Sequence, residues 1–371
     1  MRLIAAAGDR DGWRHLEAVA RALPDGGRES LALCRAGLGP IDGIPTRVLA
    51  DDAAAQEEVD RAMGGNDFDA VLLVTSRTGP DPLTRAAARG CAGLPVFAIQ
   101  EYWGDPLGVE PVDGGALRYL VRDELAAKLT AARQPLAAVR ATGSPKYAAY
   151  ERCDIEAARR ARRAELGAGE GDRLAGWFGQ APLAEESYRR TLEAFARAVA
   201  ARRGTKLLYR PHPRESPEQA ARSLRAFREA GVEARLATSG ETWQWIAAVD
   251  AVFACFSNCC ADAAHLNRAS PRPLNSPAFM LFDEELRAYH ERATAMSQPP
   301  LATLGLALLA AQAARVGEVV EEALDPATAG RHWDAARRML PLGSAAAAAV
   351  AGELAQAGPA PRDARARRER K

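Results

Sequence analysis

Strand-like and helix-like segments alternate along this 371-residue chain; the pattern stops at a charged, glycine-rich stretch and then begins again. Runs such as "FDAVLLVTS" and "LPVFAIQEYWGD" are continuously apolar rather than alternating, as expected of strands buried on both faces. Helical segments separate them, among them "DGWRHLEAVARAL", "AAQEEVDRAMGG" and "DPLTRAAARGCAG". A parallel sheet covered by helices on both faces satisfies that order. Residues 151–172, "ERCDIEAARRARRAELGAGEGD", read as a charged helix and a glycine-rich linker. Beyond it come "RLAGWFGQ", "TKLLYRPHP", "VEARLATS" and "AVFACFSN" as strands, with helices between. The expectation is an α/β chain with one parallel-sheet domain over 1–150 and another over 173–328. Residues 329–357 read as two helical pieces broken at Pro341, crossing back to the first domain. The Arg- and Pro-rich 358–371 reads as a disordered, solubilising tail, with peripheral contact to an anionic membrane as the alternative.

Composition excludes some classes. Lys and Arg number 49 against 48 Asp and Glu, so no global basic field steers the chain to nucleic acid. Six cysteines form no CxxC pair, which fits buried thiols in a reducing compartment rather than a zinc site. The apolar stretch in "MRLIAAAGDRDGW" is too short for a signal peptide. "LATLGLALLAAQAARVGEVVEEAL" is rich in Ala and reads as a buried or amphipathic helix, not a membrane span. The default location is the cytoplasm.

Ligands of open parallel sheets lie beyond the carboxyl ends of the strands. There "LLYRPHPRES" places His212 between Pro211 and Pro213, each of which fixes its own φ and restricts the residue before it. His212 is thus held in a stiff, non-helical turn, with Arg210 before it and Glu215 after. A cation near a helix N-terminus suits a phosphate; the alternative is a histidine that only caps a loop. In "FACFSNCCADAAHL", Ser257 and Asn258 occupy a strand-to-helix turn, fit either to meet a phosphate or simply to cap the helix carrying Asp262. "GWFGQAP" offers Gly179 for close backbone approach and Gln180 as an amide. "QEYWGDP" ends a strand with Glu101 and Asp105, either of which suits a general base. Lys146 in "TGSPKY" reads mainly as part of a hinge, with phosphate contact as the lesser role.

These segments resemble the GT-B fold of nucleotide-sugar glycosyltransferases and of the related UDP-N-acetylglucosamine 2-epimerases, with two Rossmann-like domains facing a cleft. "TGSPKYAAY" is similar to their Gly-x-Pro-x-x-Asp turn, although the Asp is missing here. "YRPHPRE" is similar to the His-Pro motif of bacterial capsule-type, sialyl- and glycerophosphate-transferring enzymes, and "AVDAVFACFSNCCADAAHL" to their phosphate-contacting Ser segment. The irregular "NRASPRPLNSP" departs from the Gly-x-Pro turn usual there. The resemblance implies metal-independent, cofactor-free transfer of a sugar from a nucleotide donor to a hydroxyl acceptor, in surface polysaccharide or glycoconjugate synthesis. His212 would act on the leaving phosphate, and Glu101 or Asp105 would be the base. Arg210, Gly179, Gln180, Glu215, Ser257, Asn258, Asp262 and Lys146 would hold the donor. A sugar 2-epimerase and a non-catalytic nucleotide-binding module are the alternatives.

Overall fold

The computed structural model describes residues 1–24, 30–35, 37–49, 53–65, 68–75, 82–91, 93–103, 117–169, 171–180, 185–294 and 296–357. Asp105 and the tail 358–371 lie outside them. The chain divides into two compact units, Met1–Glu151 together with the chain from Pro341 on, and Arg152–Leu340.

The first unit holds strands β1 Leu3–Ala7, β2 Leu31–Arg35, β3 Thr46–Leu49, β4 Ala70–Val74, β5 Val96–Ile99, β6 Leu117–Val121 and β7 Ala138–Ala141. All pair in parallel, in the order β3-β2-β1-β4-β5-β6-β7. Its early helices are α1 Arg10–Ala22, α2 Ala53–Gly65, α3 Pro82–Gly90 and α4 Glu124–Arg133. Every residue of β1, β4 and β5 is buried, as continuous apolar runs require. Asp9 and Asp123 start α1 and α4 by accepting backbone N–H bonds from Gly12 and Ala126.

The second unit begins with helix α5 Ile155–Glu165 and carries β8 Arg173–Phe178, β9 Thr205–Arg210, β10 Ala234–Leu236, β11 Ala251–Ala254, β12 Ser276–Met280 and β13 Leu308–Ala310. These too are wholly parallel, in the order β10-β9-β8-β11-β12-β13. Between and after them come α6 Glu185–Ala200, α7 Pro217–Glu229, α8 Thr242–Ala248, α9 Cys259–Ala269, α10 Glu284–Thr294, α11 Pro300–Thr303, α12 Val316–Ala323 and α13 Pro326–Met339. Helix α7 starts on a reciprocal Ser216–Gln219 capping box with Pro217 in its first turn. The core is aromatic: Phe195 packs 4.7 Å from Trp177 and 4.9 Å from Phe253, ring centre to ring centre.

Three sequence expectations need correction. Residues 151–172 are not a bare linker: α5 packs on α8, and Arg159 and Arg163 bind Asp250 and the carbonyls that end α8. Of the helices in 329–357, α13 belongs to the second unit and packs on α9, whereas α14 Gly343–Gln356 packs on α1 in the first. There Val350, Ala351 and Leu354 join the core of Trp13, Leu16 and Val19. Gly343 is required at that junction, since a Cβ would lie 1.9 Å from the backbone nitrogen of Ala148. The stretch that reads as one apolar helix is instead α11, β13 and α12, separated by the turn at Gly305 and a short 3₁₀ segment at Ala313–Arg315.

The segment "NRASPRPLNSP" leads into an interior strand, β12. Asn267 and Asn275 bind each other, and Asn275 donates to the Ile246 carbonyl at 2.8 Å. Pro277 is tolerated in β12 for a positional reason. Ser276 N–H bonds the Asp250 carbonyl on the β11 side, so the next backbone nitrogen faces the other way, where pairing with β13 starts only at Ala278.

Candidate functional site

Both sheets reverse their strand order beside the first strand of the unit, and the carboxyl edge at that switch point is where an open α/β sheet takes a ligand. The two edges are furnished differently.

In the first unit, Glu101 follows β5 and is buried. Its Oε1 accepts from Lys146 Nζ at 2.6 Å and its Oε2 from His15 Nε2 at 2.8 Å. His15 Nδ1 accepts from the Lys146 backbone N–H at 3.4 Å, which leaves the ring proton on Nε2, facing Glu101. Lys146 also reaches Asp11 at 3.2 Å. Arg122 donates to the Glu101 carbonyl at 3.1 Å and stacks 3.9 Å over the Trp103 ring. Burial alone would raise the Glu101 carboxyl, but the Lys146 ammonium and the His15 bond outweigh it and hold the group well below the carboxylate range. Burial lowers His15 and keeps it neutral, against the pull of Glu101. A carboxylate with both oxygens engaged and a depressed pKa is a weak proton acceptor, so the arrangement argues against Glu101 as the base. Lys146, for its part, is spent on Glu101 and Asp11.

In the second unit the strand ends stay more open. Three bonds fix the His212 turn: Glu215 N–H to the His212 carbonyl at 2.8 Å, His212 N–H to Glu215 Oε1 at 3.0 Å, and Arg214 N–H to His212 Nδ1 at 3.1 Å. Tyr209 donates to the other oxygen of Glu215. The prolines are therefore helped by a carboxylate anchor, and the Glu215 side chain works on its own turn. Burial raises the Glu215 carboxyl against those bonds. With Nδ1 accepting, neutral His212 carries its proton on Nε2, which meets no partner among the described residues. Burial, then Arg214, lowers its pKa, so the ring is a neutral N–H donor at pH 7.

Gly179 is needed beside this turn: a Cβ would fall 2.1 Å from Glu215 Oε1 and 2.8 Å from His212 N, while its own N–H bonds the Arg210 carbonyl. Its close approach thus serves the protein's own turn. Gln180, next in chain, is buried. Arg210 does not hang free: it donates to the carbonyls of Ala237 at 3.1 Å, Ser239 at 2.9 Å and Gly240 at 2.8 Å, fastening the β10–α8 loop. Ser257 and Asn258 stand half-buried where β11 passes into α9. The Ser257 hydroxyl accepts from Cys259 N–H at 3.3 Å, and the Asn258 side chain makes no capping bond, so α9 opens without an Asn cap. Asp262 lies in its first turn, half-buried. The turn residues His212, Ser257 and Asn258, together with Gly179 and Gln180, all follow strands of one sheet at one edge.

Sequence reading missed His15, whose partner Glu101 lies 86 residues away. On an amphipathic helix it carries no local signal.

Two doubly wound parallel units in one chain are the architecture of the GT-B-like fold class. No family model and no curated protein matches the sequence. Among solved structures, the UDP-GlcNAc 2-epimerase of Neisseria meningitidis bound to UDP-GlcNAc is similar over 96% of this chain and 100% of its own, with a TM-score of 0.65 and 12% identity. A glycosyltransferase of Rickettsia africae is similar over 96% of this chain and 98% of its own, with a TM-score of 0.64 and 7% identity. The calicheamicin glycosyltransferase is similar over 96% and 97%, with a TM-score of 0.56 and 12% identity. At such identities the likeness is one of fold. Among the described residues no helix is long and apolar enough to cross a membrane.

Proposed function

We propose that the chain is a nucleotide-sugar-dependent enzyme that transfers a glycosyl group to a hydroxyl acceptor, its donor held at the carboxyl edge of the second sheet. One observation carries this reading: His212, neutral and with Nε2–H unengaged, is fixed in a turn at the same sheet edge as the start of α9. The two features suit a nucleoside diphosphate. The dipole of α9 favours the phosphates. A neutral N–H donor held in place stabilises charge as it builds on the leaving oxygen, with little reorganisation. Ser257 and Asn258 would meet the phosphates, and Gln180 and Asp262 other parts of the donor. No metal and no cofactor is invoked. With Glu101 sealed, the base of transfer falls to Asp105 or to the acceptor's own surroundings. Surface polysaccharide or glycoconjugate synthesis, in the cytoplasm, is the setting such a reaction suits.

Epimerisation of the sugar nucleotide is the second reading, favoured by the full-length likeness to the Neisseria meningitidis epimerase. A panel of nucleotide sugars, resolved by chromatography with and without hydroxyl acceptors, separates the two. Release of free nucleotide marks transfer or hydrolysis, and a new sugar nucleotide marks epimerisation. If every donor is left intact and unbound, the reading fails.

A further inference from the structure

The Pro211-His212-Pro213 turn owns a single backbone N–H, that of His212, because neither proline carries one. Its acceptor is a side chain: Glu215 Oε1 lies 3.0 Å away. The Glu215 backbone N–H in turn binds the His212 carbonyl at 2.8 Å. One residue therefore holds both peptide groups that flank the His212 side chain. The bond that sets the ring tautomer, from Arg214 N–H to Nδ1 at 3.1 Å, runs inside the loop that Glu215 closes.

The carboxylate is itself tied to the core. Its Oε2 accepts from the Tyr209 hydroxyl, and Tyr209 is fully buried in β9, its ring centre 5.5 Å from that of Phe227 in α7. Gly179 leaves the carboxylate its room, since a Cβ there would lie 2.1 Å from Oε1. Both oxygens are thus engaged inside the protein. A carboxylate would also repel the phosphates of a nucleotide donor.

We propose that Glu215, anchored by Tyr209, is a positioning residue that sets the place and tautomer of His212 and does not touch the donor. The kinetic part of this inference rests on the reading of His212 as the group that meets the leaving oxygen; the structural part does not. A group that must sit within about 0.5 Å of its productive place needs such a support.

The first test needs no substrate. Long-range ¹H–¹⁵N imidazole spectra of the full chain at pH 7.5, with His212 identified by its loss in His212→Ala, should show one neutral tautomer protonated on Nε2. Glu215→Ala should mix the two tautomers, and Tyr209→Phe should shift them the same way by less. Glu215→Gln keeps an oxygen for the His212 N–H and should hold the parent pattern. If Glu215→Ala does not fold, Tyr209→Phe decides alone. A parent-like Nε2–H pattern in the folded variants would overturn the proposal, as would mixed tautomers in the parent. With a donor that is turned over, Glu215→Ala should lower kcat on the order of tenfold, the scale of a slightly misplaced group, with KM unchanged. Added to His212→Ala it should cost nothing further, because the two act as one unit. A raised KM with kcat unchanged, or the same loss in both backgrounds, would overturn the positioning role. If His212→Ala turns over at the parent rate, the functional reading of His212 fails, and the spectra still judge Glu215.

Discussion

The two units share a strand order and differ in what they do with charge at the carboxyl edge. In the first, an ammonium, a carboxylate and an imidazole close on one another inside the protein, and the Lys146 and Glu101 side chains are only 4% and 5% exposed. In the second, Arg210 and Glu215 are consumed in fastening turns, yet His212 Nε2 is left with no partner among the described residues. The difference lies in the partners. A charge that finds its counterion within the unit becomes architecture, whereas a neutral group held by backbone bonds keeps its chemistry available.

The largest effect should come from opening the closed cluster. Lys146→Met leaves Glu101 buried without its cation and should cost about 3–5 kcal/mol, seen as a lowered first transition in thermal unfolding. Adding Glu101→Gln should recover part of the loss. A Lys146→Met protein as stable as the parent would break the contrast between the edges.

A pH dependence of similar size belongs to the second unit. His332 in α13 is 7% exposed, and its Nδ1 has no partner among the described residues. Burial, with Arg331 nearby, pushes its pKa down to about 4 from the ordinary value of 6.5. A folded value below the unfolded one means that its contribution is whole above pH 6.5 and is lost as pH falls through 4, about 3 kcal/mol in all. Urea midpoints measured from pH 7 to 4 should fall less in His332→Phe than in the parent; equal slopes would show that the ring does not titrate in this window.

A smaller effect sharpens the role of Arg210. Arg210→Ala should lower stability by about 1–3 kcal/mol through the lost carbonyl bonds, while affinity for a nucleotide sugar by calorimetry changes little. Unchanged stability with a large loss of affinity would return Arg210 to the donor.

What was legible in the sequence follows from the range of the interactions. Ser216-Pro217 marks a helix start within four residues, and the apolar runs mark the strands, so the α/β class and the break at Pro341 could be read directly. β12 escaped because Pro277 argues against an interior strand until the register of β13 is known. Arg210 looked available because the carbonyls that bind it lie 27 to 30 residues further on. Glu101 looked like a base because its neighbours Lys146 and His15 are 45 and 86 residues away. Local chemistry placed the residues at the right edges, but long-range pairing decided which of them remained chemically unengaged.

The central claim is that His212 does chemistry while its turn is held without it. Turnover of a nucleotide sugar and thermal stability, measured side by side for the parent and His212→Ala, test this most directly. The variant gives up one bond, from Arg214 N–H, and keeps both prolines and the Glu215 anchor, so its melting temperature should barely move. Its turnover should fall on the order of a hundredfold, the scale for one positioned donor. A His212→Ala protein that unfolds, or one that folds and turns over at the parent rate, would contradict the account.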